Sequence, residues 1–128
     1  MDDLTIEKIL AIHSEIMVQD GGDRRVLFEG NLHQVVFQAN LQQDPFTRAA
    51  ITLYSLCAYH AFRDGNKRTA RAVAEWILAD AGYILPKDDS CGSALMQGVM
   101  NFTTEPEEIE EYFRNSVIKK QDYGAGTH

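Results

Sequence analysis

The stretch from Phe46 to Phe62 is the most restrictive in the chain. Phe46, Ala49, Ala50, Leu53, Tyr54, Leu56, Cys57 and Tyr59 recur at helical spacing. They wrap more than one side of the helix they predict. A helix apolar on several sides has to be surrounded, so the remaining elements are expected to pack around this one. With 128 residues and a hydrophobic fraction of 45%, the chain has the size of one domain and enough apolar mass for a core.

The flanking segments have narrower apolar stripes. Thr5 can cap a helix whose stripe is Ile6, Ile9, Leu10, His13, Ile16 and Met17. His13 within that stripe is read as a hydrogen-bonded core residue. Asp20-Gly21-Gly22 ends this helix. The stretch Arg24 to Gly30 stays undecided between extended and helical structure. A second helix turns Leu32, Val35, Val36 and Ala39 inward. Asp44-Pro45 then breaks the pattern, because proline is tolerated in a first helical turn but resists a helix before it.

After the central helix, Arg63-Asp64-Gly65-Asn66 forms a polar turn. A helix from about Lys67 to Ala81 follows, closed by Gly82. Ser90 can cap another, and Thr104 with Glu107 has capping-box spacing before a last helix carrying Ile109, Tyr112, Phe113 and Val117. The expectation is an all-α bundle of about six helices without a sheet. It occupies residues 1–120, and 121–128 are read as a flexible tail.

Composition narrows the function. No apolar run approaches the ~18–20 residues of a membrane span. The opening MDDLTIEK lacks a basic-then-apolar signal pattern, so a cytoplasmic protein without membrane partners is expected. Cys57 and Cys91 are in no metal-ligand spacing and read as small apolar residues. A net charge of −7 repels a phosphate backbone, so direct nucleic-acid binding is not expected. The same charge argues against reading the bend at Asp64 to Lys67 as a helix–turn–helix DNA binder.

Against that acidic background one basic cluster stands out. Arg63, Lys67, Arg68 and Arg71 lie in the segment from His60 to Arg71, with Asp64 the only acid among them. A helix starting at about Asn66 exposes unpaired amides and the positive end of its dipole, which is a site for phosphate. Gly65 permits the turn or a close approach of ligand to backbone. Asn66 can cap the helix or hold a phosphate oxygen. Arg68 and Arg71 share a helix face and could grip one polyphosphate. Asp64 suits Mg²⁺ bound together with phosphates, and His60 can accept a proton near neutral pH. Together these features suit phosphoryl or nucleotidyl transfer. The competing reading of the same residues is a plain basic surface turn. The segment is no Walker loop, since it lacks the upstream glycine and follows a helix.

The order His60-x-Phe62-x-Asp64-Gly65-Asn66-Lys67-Arg68 is similar to the motif of the Fic/Doc family, His-x-Phe-x-Asp/Glu-Gly-Asn-Gly/Lys-Arg. Ile9 to His13 before the Gly-Gly loop, and Arg48-Ala49-Ala50 leading into the motif helix, resemble its Doc branch. The resemblance implies a compact Fic-type helical bundle and a Mg²⁺-dependent transferase that uses ATP or another nucleoside triphosphate. His60 would be the base that deprotonates a Ser, Thr or Tyr hydroxyl of a target protein, and a translation factor is the target that Doc implies. Phe62 would anchor the loop and Asp64 would bind Mg²⁺. Gly65, Asn66 and the Lys67 backbone would form the anion hole, and Arg68 would hold a further phosphate.

Two positions pull apart. Lys67 resembles Doc, which implies a phosphate transferred to protein. Arg71 resembles the adenylyltransferases, which implies AMP instead. The expectation favours phosphate, with AMP transfer as the alternative and a non-catalytic nucleotide-binding module as a third reading. The family's target-docking flap is assigned to Asn40–Phe46. Neither Glu29-Gly30, with Arg25 upstream, nor Thr103 to Glu107 carries the family's inhibitory pattern, so a separate antitoxin protein is expected to control the enzyme.

Overall fold

The computed structural model describes residues 1–86 and 90–120. The elements are α1 (Ile6–Asp20), α2 (Glu29–Leu41), α3 (Pro45–Tyr59), α4 (Asn66–Asp80), β1 (Tyr83–Ile84), α5 (Ser90–Met100), α6 (Pro106–Ser116) and β2 (Ile118–Lys119). The all-α expectation holds. Among the described residues the bundle gains a two-residue antiparallel ribbon, with Tyr83 opposite Lys119 and Ile84 opposite Ile118. Elements this short leave no period-2 pattern in the sequence.

Helix boundaries follow local chemistry. The Thr5 hydroxyl accepts a hydrogen bond from the Lys8 amide at 3.1 Å and caps α1. The Asp44 carboxylate accepts from the amides of Phe46 (2.8 Å) and Thr47 (3.3 Å), with Pro45 in the first turn of α3. The capping box of α6 lies one residue later than expected, on Glu105 and Glu108, because Pro106 takes the first helical position. Ser90 is the first residue of α5. Its side chain lies outside the described residues, as do the Cys91 side chain and the tail 121–128.

α3 is the axis of the bundle, packed against α4, α2, α6 and α5. It buries Phe46, Ala49, Ala50, Leu53, Leu56 and Cys57. Around them close Val73, Ala74, Ile77 and Leu78 of α4, Leu32, Val35 and Ala39 of α2, and Ile109 and Phe113 of α6. Arg48 is buried and ties the start of the chain down, donating from Nε to the Gln42 carbonyl (2.9 Å) and from a terminal nitrogen to the Asp2 carbonyl (3.1 Å). No helix among the described residues is long and apolar enough to cross a membrane.

Burial pushes the Cys57 thiol up to about 12, and the Lys67 charge only partly opposes it. The thiolate is the nucleophile, so the folded protein is expected to resist iodoacetamide at mildly alkaline pH, with labelling appearing only in denaturant. Peptide mass analysis before and after unfolding checks this. Rapid labelling of the native protein at Cys57 would contradict this burial.

Candidate functional site

α3 ends on His60, which stands in the left-handed region (φ 47°, ψ 53°). That conformation is uncommon for a residue with a side chain, though histidine tolerates it better than most. It stops the helix and exposes the imidazole. Nδ1 lies 3.4 Å from the Ala58 carbonyl. A proton on Nδ1 points there and leaves Nε2 with a lone pair toward solvent.

The chain then dips into the core. Ala61 and Phe62 are buried, and the Phe62 ring lies flat on His13, with centroids 3.7 Å apart and planes inclined by 8°. His13 is a hydrogen-bonded core residue, as its place in the α1 stripe indicates. Its Nε2 donates to the Asp64 carbonyl at 2.8 Å.

Gly65 is the N-cap of α4 at φ 77°, a conformation that costs other residues roughly 1–2 kcal/mol. A Cβ there would also run into Met17 Cε. The first intrahelical bond of α4 is from the Thr69 amide to the Gly65 carbonyl (2.9 Å). The amides of Asn66, Lys67 and Arg68 therefore have no helical acceptor, and no side chain among the described residues caps them.

Asn66 does not cap α4, nor is its side chain free to hold a phosphate. Its Oδ1 accepts from the Phe62 amide (3.1 Å) and its Nδ2 donates to the Phe62 carbonyl (2.9 Å). The side chain staples the loop into a closed turn, so Asn66 can offer an anion only its backbone amide.

One open cavity of roughly 570 Å³ collects His60, Arg63, Asp64, Gly65, Asn66, Lys67, Arg68 and Met100. The sequence marks Arg63 only as a member of the basic cluster and gives Met100 no place in the site. Met100 reaches the cavity from α5 and leaves no local signal. The Asp64 carboxylate is exposed, with Oδ2 3.4 Å from the Asp23 amide. Asp23 itself is held at about 2 by hydrogen bonds from the Arg25 side chain and amide. No group of three or more His, Cys, Asp or Glu side chains gathers among the described residues. The arrangement fits a Mg²⁺ that takes one protein carboxylate and completes its shell with phosphate oxygens and water.

Arg68 pairs with Asp20 at the end of α1, both half exposed. A ligand phosphate has to share or replace that partner. Arg71 does not line the cavity of His60. Its guanidinium donates to Glu75 (3.3 Å) and to the Pro86 carbonyl (2.9 Å), and it lines a neighbouring recess with Lys67, Arg68 and Met96. Arg68 lines both spaces, so Arg68 and Arg71 do meet in one recess, as their shared helix face implied.

Most of the segment assigned as the flap, Asn40–Phe46, is helical. Asn40 and Leu41 belong to α2, and Asn40 is bound to both backbone groups of Leu4 at 2.9 Å. Only residues 42–44 connect α2 to α3. The segment that runs beside the motif loop is 25–28, the stretch the sequence left undecided. Leu27 donates to the Ala61 carbonyl (2.8 Å) and Arg63 to the Arg25 carbonyl (3.1 Å), around a Val26–Phe62 antiparallel bridge. In that pattern the amide and carbonyl of Val26 point away from Phe62. Val26, Leu27 and Phe28 are all exposed.

A family model described as the Fic/DOC family matches residues 3–78. The chain belongs to this family. Among similar proteins, "Protein adenylyltransferase fic-1" of Caenorhabditis elegans is 44% identical over 52 residues, covering 38% of this chain and 10% of that protein. Its namesake in Caenorhabditis briggsae is 42% identical over the same length and shares. "Protein adenylyltransferase and cysteine protease IbpA" of Histophilus somni (strain 2336) is 32% identical over 102 residues, 63% of this chain and 2% of that protein. This Fic/DOC chain thus spans only a small part of the length of these relatives.

Proposed function

We propose that the chain is a Fic-type transferase that moves AMP from ATP to a hydroxyl of a protein substrate. The observation that carries this is the shared cavity, where the His60 imidazole and the unpaired amides at the start of α4 face one space. The hydroxyl oxygen attacks the α-phosphorus, its proton passes to His60 Nε2, and pyrophosphate leaves. Gly65, Asn66 and Lys67 amides and the Arg68 guanidinium offset the charge of the phosphates. Mg²⁺ on Asp64 would neutralise phosphate charge when bound.

Two observations favour AMP over phosphate. The named relatives are adenylyltransferases. The cations also extend from the His60 cavity toward Arg71, which accords with an α-phosphate at His60 and the distal phosphates further along α4. Lys67 supports the second reading, in which the terminal phosphate faces His60 and the target is phosphorylated. The exposed Val26 edge would take the target backbone as an added strand, next to His60. Control by a separate antitoxin protein belongs to the same reading.

Intact-mass analysis of lysate proteins incubated with the chain, Mg²⁺ and ATP tests the proposal. A gain of one AMP on a target is expected. A gain of one phosphate selects the second reading, and no gain on any protein rejects both.

A further inference from the structure

We infer that His13 aims the Gly65 amide at the ligand, which makes it the positioning residue of the phosphate loop. Nothing in the sequence motif includes it. It sits mid-way along α1, is 2% exposed, and reaches the loop by two contacts at once. Its ring face lies on Phe62 and its Nε2–H donates to the Asp64 carbonyl at 2.8 Å.

The consequence comes from peptide geometry. In a trans peptide the carbonyl of one residue and the amide of the next point in opposite directions. The bond from His13 draws the Asp64 carbonyl into the core. The Gly65 N–H is therefore turned outward, and Gly65 lines the His60 cavity. Without that bond little opposes rotation of the peptide plane, because Gly65 carries no Cβ and tolerates both signs of φ. A rotated plane presents a carbonyl oxygen where an anion has to bind. Met17, one turn further along α1, packs beneath Gly65 and Gly22 and supports the same turn.

The inference rests on the proposed nucleotide site only for its effect on ligand binding. The hydrogen bond itself can be tested without ligand. Long-range ¹H–¹⁵N spectra of the wild-type chain are expected to show His13 as a single Nε2–H tautomer with a slowly exchanging ring proton. A His13 that is Nδ1–H, or that exchanges its ring proton freely, overturns the inference whatever the protein binds.

Two variants separate positioning from packing. His13→Phe keeps the ring against Phe62 and removes the donor. His13→Gln gives up the stack and keeps a side-chain N–H near the place of Nε2. Loss of one buried hydrogen bond is worth roughly a tenfold change in affinity. The Phe variant is expected to weaken Mg·ATP binding by about that factor and to abolish the shift of the Gly65 amide resonance on adding Mg·ATP. The Gln variant is expected to restore both. Wild-type affinity and a wild-type Gly65 response in a folded Phe variant reject the inference. If the Phe variant does not fold, the wild-type tautomer and the Gln variant decide. If the wild-type chain binds no Mg·ATP, the proposed function falls while the tautomer still judges His13.

Discussion

Exchanging His60 for alanine is expected to leave a folded chain that binds Mg·ATP with near wild-type affinity and modifies its target about 10²–10⁴-fold more slowly. The magnitude is that of a positioned general base. The direction follows from what His60 touches. Its imidazole is exposed and, among the described residues, its hydrogen-bond contact is a long one to the Ala58 carbonyl, so removing it empties no part of the core. Alanine in the left-handed region carries a strain of roughly 1–2 kcal/mol, which His60→Asn largely avoids, because asparagine tolerates that region. Both variants should lose transfer to a similar extent. Transfer rates with saturating ATP, read beside thermal unfolding, check this. An alanine variant with full activity would remove His60 from the chemistry and leave only a nucleotide-binding surface.

The sequence exposed the parts of this site that depend on residue type at short range. Phe46 to Tyr59 encode the surrounded helix, Asp44-Pro45 its start, and His60 to Arg68 the turn and the anion-binding helix. What stayed hidden depends on partners far along the chain. Asn66 has the chemistry of a cap, yet its two polar atoms fit the Phe62 backbone so well that the side chain closes the loop instead. Residues 25–28 have no strand signal of their own and become extended because Ala61 and Arg63 offer backbone partners. Arg71 stands one turn from Arg68 and shares a recess with it, but the Pro86 carbonyl already engages its guanidinium. In each case a tertiary acceptor outweighs a local preference, and helical periodicity does not report acceptors.

Phe62 shows how the fold and the site depend on one side chain. It is 1% exposed, stacked on His13, and its backbone is held by both polar atoms of Asn66. Phe62→Ala is expected to cost about 3–5 kcal/mol, the range for truncating a buried aromatic ring. That is a large share of the roughly 5–15 kcal/mol that keeps a domain folded. For a chain of this size it should lower Tm by on the order of 10 °C or more. The variant should also lose nucleotide binding at temperatures where it remains folded. The emptied space frees His13 to move, and the Asp64 carbonyl loses its fixed donor. Phe62→Leu should recover part of the stability, because it leaves a smaller cavity, but less of the binding, because leucine gives His13 no flat face. Urea unfolding combined with nucleotide titration separates the two effects. A loss below about 1 kcal/mol in the alanine variant would mean that the ring is not the anchor of the loop. His60→Ala is expected to silence the chemistry on an intact scaffold, whereas Phe62→Ala should loosen the scaffold from which every group in the cavity takes its position.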